Sequence, residues 1–208
     1  IYWQKQQEEM AELAERVREQ RQENGSLELD IEVAGMRITG WLHQVQQDGL
    51  LRWRPATLSA VDGILLWLEH LVYCCVGGSG ESRMFGSKNS AWRFAALTSE
   101  EAHEQLAELV AGYRRGLSQP LMLLNKSGWA WLSQCYQAQT QQIDWDEEVQ
   151  VKARAKLLQA WQGDQRIPGE GADPYTQRVF RQMDNVRLEQ ILKETERYLL
   201  PVARNNLG

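Results

Sequence analysis

Gly40-Trp41-Leu42-His43, followed after a polar stretch by Asp48-Gly49 and then Leu50-Leu51-Arg52-Trp53-Arg54, is the part of this chain from which a fold can be read. Asp-Gly between two apolar runs is a strong hairpin signal, because it admits the positive φ values that a tight turn between twisted strands demands. Upstream, Met36, Ile38, Gly40 and Leu42 keep a period of two. Beyond an Ala34-Gly35 turn, so do Leu27, Leu29, Ile31 and Val33, interleaved with Glu28, Asp30 and Glu32. Such alternation marks half-buried strands, so the spacing predicts a three-stranded meander whose last strand is Leu50 to Arg54.

The flanks read as helices. Residues 3–23 lack Pro and Gly and carry Met10, Leu13 and Val17 as a thin apolar stripe, a helix ended by Asn24-Gly25. A helix from Ser59 to Cys75 follows Pro55, capped by Ser59 or Thr57, with Val61, Leu65, Leu68 and Val72 on one face and Trp67 in the core. Gly77 to Gly80 reads as a loop, Ala91 to Leu97 as a strand, and Thr98 to Gly116 and Gly128 to Ala138 as helices. Asp144-Trp145-Asp146-Glu147 caps a helix reaching Gln162, and the last helix, Tyr175 to Leu200, stops before Pro201. The order predicts an α/β fold: a mixed sheet flanked by helices, with a helical C-terminal tail. Residues 1–25 form a lead-in, 26–138 the core and 139–208 a helical extension.

At 208 residues and 43% hydrophobic content the chain supports one sizeable core, and two full domains are not expected. A net charge of −5 excludes a global basic field for nucleic acid, so any such contact must be local. Cys74, Cys75 and Cys135 form no CxxC pair and fit a reducing, cytoplasmic setting as buried thiols. No apolar run approaches the roughly 18 residues that span a bilayer. Opening on Ile-Tyr-Trp, the chain reads as an excised C-terminal piece of a larger subunit.

Magnesium chemistry on a hairpin needs oxygen ligands: a carboxylate on one strand and another on the next, with a lysine two residues on projecting from the same side. Here those places hold His43, Arg52 and Arg54, which repel a cation. The stretch resembles the nuclease domains of the RecB type within the PD-(D/E)xK family. Their first aspartate falls on His43, the second on Arg52 and the lysine on Arg54, so the likeness is to a degenerate nuclease core. Gly40 to Val76, Ser127-Gly128-Trp129-Ala130-Trp131-Leu132 and Gly169-Glu170-Gly171-Ala172-Asp173-Pro174-Tyr175 are similar, more closely, to the C-terminal domains of RecC-type subunits of the bacterial RecBCD helicase-nuclease, exodeoxyribonuclease V. The resemblance implies a non-catalytic part of a heterotrimer with RecB-like and RecD-like partners. It implies a role in assembly, duplex splitting and strand guidance during recombinational repair of double-strand breaks, with no cofactor and no membrane. A pure interaction module docking the RecD-like motor without DNA contact is the alternative. An active metal nuclease using Asp48, or Asp62 with Glu69, is a further one, although those acids lie in a turn and on the following helix.

Arg52 and Arg54 either grip phosphate oxygens in a guanidinium fork or pair with Glu28, Asp30 and Glu32 of the neighbouring strands. Trp41 and Trp53 share the polar side of the hairpin with them if the alternation holds, as DNA-stacking or interface residues. The segment 163–174 has three glycines and two prolines in twelve positions and is a loop whose Asp164, Arg166, Glu170 and Asp173 are candidates for a docking surface. Gly77-Gly78-Ser79-Gly80 lacks the Lys-Ser or Lys-Thr of a phosphate-binding loop. The acids Asp144, Asp146, Glu147 and Glu148 read as helix capping.

Overall fold

The computed structural model describes residues 2–208. By contacts the chain divides into two compact units, residues 2–114 with 205–208, and residues 115–204. The segment 115–138, assigned to the core from sequence, thus falls in the second unit.

In the first unit α1 (Tyr2–Gln20) leads into β1 (Asn24–Val33), β2 (Met36–Gln46) and β3 (Gly49–Trp53), then α2 (Ala60–Cys75), β4 (Ser82–Phe85), β5 (Ala91–Phe94) and α3 (Ser99–Ser118). The five strands lie in the order β1-β2-β3-β4-β5. All neighbours are antiparallel except β3 and β4, which run parallel with α2 as the crossover. This is the mixed, helix-flanked sheet expected of an α/β fold. Asn24 and Gly25 do not end the first helix; they open β1, with a bulge between Gly25 and Ser26.

β3 is the middle strand, and its alternation decides what each face holds. Leu51 packs with Leu13 and Val17 of α1 and with Phe85 of β4. The other face meets α2, where the Trp67 and His70 rings pack at a tilt against Phe94. Leu50 and Leu51 are both fully buried, so the doublet reflects a strand covered on both sides.

The face of α2 turned to the sheet is only partly the one expected: Trp67 and Val72 are buried as predicted. Val61, Leu65 and Leu68 are exposed, whereas Gly63, Leu66, Trp67, His70, Leu71 and Cys74 are buried. A Cβ on Gly63 would lie 2.4 Å from the Trp92 ring. The helix is apolar on nearly every side, so packing at this glycine, and not the pattern, selects the buried face.

β4 was not anticipated: four residues following a glycine-rich loop carry too little alternation to signal a strand. The loop itself is tightly packed, since Gly80 N–H donates to the Tyr73 hydroxyl at 3.3 Å and a Cβ on Gly80 would meet Asp48 backbone at 2.1 Å.

The second unit holds α4 (Asn125–Cys135), the short hairpin β6 (Tyr136–Gln137) and β7 (Gln142–Ile143), α5 (Glu147–Gln162), α6 (Pro174–Val179), α7 (Asn185–Tyr198) and α8 (Leu200–Asn205). Trp131, Leu132, Leu157, Ile191 and Leu199 are buried in it, and Trp131 Nε1 donates to Gln150 Oε1 at 3.1 Å. Asp146 caps α5 by accepting from the Glu148 and Val149 amides, which accounts for the acidic run. The expected single helix from Tyr175 to Leu200 is broken: Phe180 leaves helical geometry and Asp184 caps a new start. Pro201 does not terminate a helix but sits in the first turn of α8, where its missing N–H costs nothing. Tyr136 leaves the helix for β6.

Candidate functional site

The hairpin arginines are the centre of the candidate site. Arg52 Nε donates to Glu69 Oε2 at 2.8 Å, and Arg54 Nη1 donates to Asp62 Oδ1 at 2.7 Å. Both acids belong to α2, so the arginines reach across to the crossover helix and not to Glu28, Asp30 or Glu32. Asp30 is taken by Arg37 of β2 through two contacts of 2.7 and 2.6 Å. The reason is the pleat: Arg52 follows Leu50 on the α2 side of β3, and Arg54 continues it.

Asp62 is only 4% exposed, and the burial opposes its charge. The Ser59 amide and hydroxyl and the Arg54 guanidinium outweigh that penalty and hold its carboxyl below the ordinary range. Asp48, the turn acid, is paired with Arg83 Nη2 at 2.5 Å. Each acid of the active-nuclease alternative, Asp48, Asp62 and Glu69, is therefore paired with an arginine. Among the described residues, no three of His, Cys, Asp and Glu gather closely enough to hold a metal ion.

The other hairpin residues do not converge on these pairs. His43 Nδ1 lies 2.9 Å from Ser26 Oγ on the exposed edge toward β1. The β2–β3 ladder covers only Val45 opposite Leu50 and Gln46 opposite Gly49, and Gln44 takes a positive φ of 55°, so His43 and Arg52 are not ladder partners. Trp41 is 56% exposed. Trp53 lies on the other face of β3 from Arg52, in a groove with Met10, Leu13 and Val17 of α1, which corrects its expected place beside the arginines. The Leu50-Leu51 doublet hid that register.

In the 163–174 loop, three of the four acids and bases named from sequence hold the loop together. Asp164 accepts from the Arg166 and Ile167 amides at 2.7 and 2.8 Å. Asp173 caps α6 through the Thr176 amide. Glu170 accepts from the Lys126 and Ser127 amides at the start of α4. Arg166 is exposed, as is Ile167 beside it.

One buried polar site in the first unit has no counterpart among the residues singled out from sequence. His70, fully buried, places Nδ1 2.7 Å from Ser82 Oγ and Nε2 2.9 Å from the Ala95 carbonyl. Burial pushes it down to about 4, so the ring is neutral at pH 7. Its only sequence signal was a histidine inside an apolar helix.

The family described as the RecC C-terminal domain matches residues 1–136, the stretch that contains this mixed sheet and its hairpin arginines. The chain belongs to that family. It is 49% identical over 206 residues to the RecBCD enzyme subunit RecC of Escherichia coli (strain K12), covering 99% of this chain and 18% of that one. It is 36% identical over 205 residues to the RecBCD enzyme subunit RecC of Buchnera aphidicola subsp. Acyrthosiphon pisum (strain APS), covering 99% and 19%. The chain thus spans about a fifth of the length of these relatives. No helix of the described residues is long and apolar enough to cross a membrane.

Proposed function

We propose that this chain is a non-catalytic, degenerate nuclease-like domain of a RecC-type subunit, serving subunit assembly and the guidance of DNA strands in a RecBCD-type enzyme that acts in recombinational repair. The observation that carries the reading is the commitment of the local acids: Glu69 to Arg52, Asp62 to Arg54 and Asp48 to Arg83. Metal-dependent hydrolysis would need carboxylates free to bind a cation, and guanidiniums in their place exclude one. The names of the relatives support the assembly, with RecB-like and RecD-like subunits as partners.

Incubation of the chain with linear duplex DNA and magnesium or manganese tests the non-catalytic part. No cleavage is expected, and metal-dependent cleavage lost in Asp62→Asn or Glu69→Gln would overturn it. Forked DNA tests strand guidance through the hairpin. Arg52→Glu with Arg54→Glu is expected to weaken fork binding, and unchanged binding in that variant removes these arginines from the DNA path. The observation favouring a protein-docking role without DNA is the exposed row Val61, Leu65 and Leu68 on α2.

A further inference from the structure

In the second unit a concavity of about 320 Å³ lies between α4, α5 and the loop that follows α5. Its apolar walls are Ala130 of α4, Ala160 of α5 and Ile167 with Pro168 of the loop, and two ammonium groups, those of Lys126 and Lys156, stand among them.

The loop wall is held firmly. Gly163, at a φ of +72°, backs so closely onto Gly169 that a Cβ on it would lie 2.1 Å from the Gly169 amide nitrogen. The Asp164 N–H donates to the Ile167 carbonyl at 2.9 Å, and the Asp164 carboxylate accepts from the Arg166 and Ile167 amides. Glu170 then ties the loop to the Lys126 and Ser127 amides at the start of α4. Ile167 is nevertheless 68% exposed. A large apolar side chain is thus kept in water at a fixed place beside the pocket that it lines.

The charge of the lining is one-sided. Neither lysine forms an ion pair among the described residues, and Lys156 Nζ donates to an uncharged partner, Gln159 Oε1, at 3.2 Å. Among the described residues of the lining Asp164 is the one carboxylate, and it is taken up by its two backbone amides. The pocket therefore offers hydrocarbon walls and two uncompensated cations, in a chain whose net charge is −5.

We propose that this pocket takes the C-terminal residue of another polypeptide, with its apolar side chain against Ala130, Ala160, Ile167 and Pro168 and its carboxylate between Lys126 and Lys156. Charge complementarity sets the sign of the ligand, and the apolar walls require a hydrocarbon group beside the anion. One small concavity supplies both, so both must leave the same carbon atom. Only a chain terminus carries an apolar side chain and a free carboxylate on one Cα; an internal Asp or Glu puts its carboxylate on a different residue from the apolar side chain. Such docking needs no DNA contact and is independent of the strand-guidance reading.

Fluorescence anisotropy of the chain with the N-terminally labelled peptide Gly-Ser-Gly-Ser-Leu, as the free acid and as the C-terminal amide, tests this. The free acid is expected to bind, and the amide about tenfold more weakly, the loss that goes with one charge-assisted contact. Lys126→Gln and Lys156→Gln should each raise the Kd of the free acid several-fold while barely changing that of the amide. Ile167→Ser should weaken both forms. These substitutions leave the fold's own contacts in place, because Lys126 and Ile167 are held through their backbone groups. No binding of the free acid at millimolar peptide, equal affinity for acid and amide, or a Kd unchanged in both lysine variants would each overturn the proposal. So would a labelled Gly-Leu-Asp-Gly amide that binds as tightly as the free acid, by making the pocket a site for internal acidic segments.

Discussion

Arg54, just beyond the end of β3, and Asp62, in the first turn of α2, are joined Nη1 to Oδ1 at 2.7 Å, while Ser59 holds the other oxygen of that carboxylate with its amide and its hydroxyl, each at 2.7 Å. The carboxylate is thus at once a helix cap and an anchor between strand and crossover helix. Arg54 is half-exposed, so its share is screened, whereas the buried Asp62 carries the cap. Asp62→Ala is expected to cost about 2 kcal/mol in urea unfolding, and Arg54→Ala below about 1 kcal/mol. Equal losses would show that the ion pair, not the cap, sets the helix start.

His70 makes stability depend on pH. Its folded value is lowered to about 4 from 6.5, so between those values the unfolded chain binds more protons than the folded one. The contribution is complete above about 6.5 and is lost as pH falls toward 4. At about 1.4 kcal/mol per unit the total is on the order of 3 kcal/mol. Urea midpoints measured from pH 7 to pH 4 should fall steeply in that window, and the slope should flatten in His70→Gln. A parallel decline in both chains would assign the effect to other groups.

The meander, the alternating strands and the ends of α2 were legible in the sequence because period-two patterning and turn residues act locally. The buried side of α2 was legible only at Trp67 and Val72. An all-round apolar helix leaves the choice to a long-range fit, here Gly63 under the Trp92 ring. The positive charge of Arg52 and Arg54 on the hairpin was legible too, but their partners were not, because Glu69 and Asp62 approach only through the crossover connection. The role of Glu170 at the start of α4 was hidden for the same reason, a separation of 43 residues from Ser127.

Two glycines should respond very unequally to alanine. A Cβ on Gly49 would lie 1.9 Å from the Glu81 carbonyl, and its φ of +129° is strained for any other residue. Gly25 has nothing within 4 Å. Gly49→Ala is expected to cost on the order of 3 kcal/mol, and Gly25→Ala to change thermal stability little. A tolerated Gly49→Ala would mean that the hairpin turn shifts freely.

The thiols should be silent in the native chain. Cys74, Cys75 and Cys135 are buried, and burial pushes Cys75 and Cys135 up to about 11. Thiolate, not thiol, is the reactive form, so a disulfide reagent at pH 8 should label none of the three until urea unfolds the chain. Rapid labelling of one cysteine without denaturant would reveal local opening at its helix.

The fully buried pair Leu50 and Leu51 turns β3 into a partition, with the Arg52–Glu69 ion pair on one side and Leu13, Val17 and Phe85 on the other. One residue gained or lost in the Asp48-Gly49 turn would rotate every β3 side chain through the wall. Arg52 would face Leu13, Val17 and Phe85, while Leu51 would confront Glu69. The close fit of Gly49 against Glu81 therefore governs more than a turn: the length of that turn determines on which side of the sheet Arg52 stands.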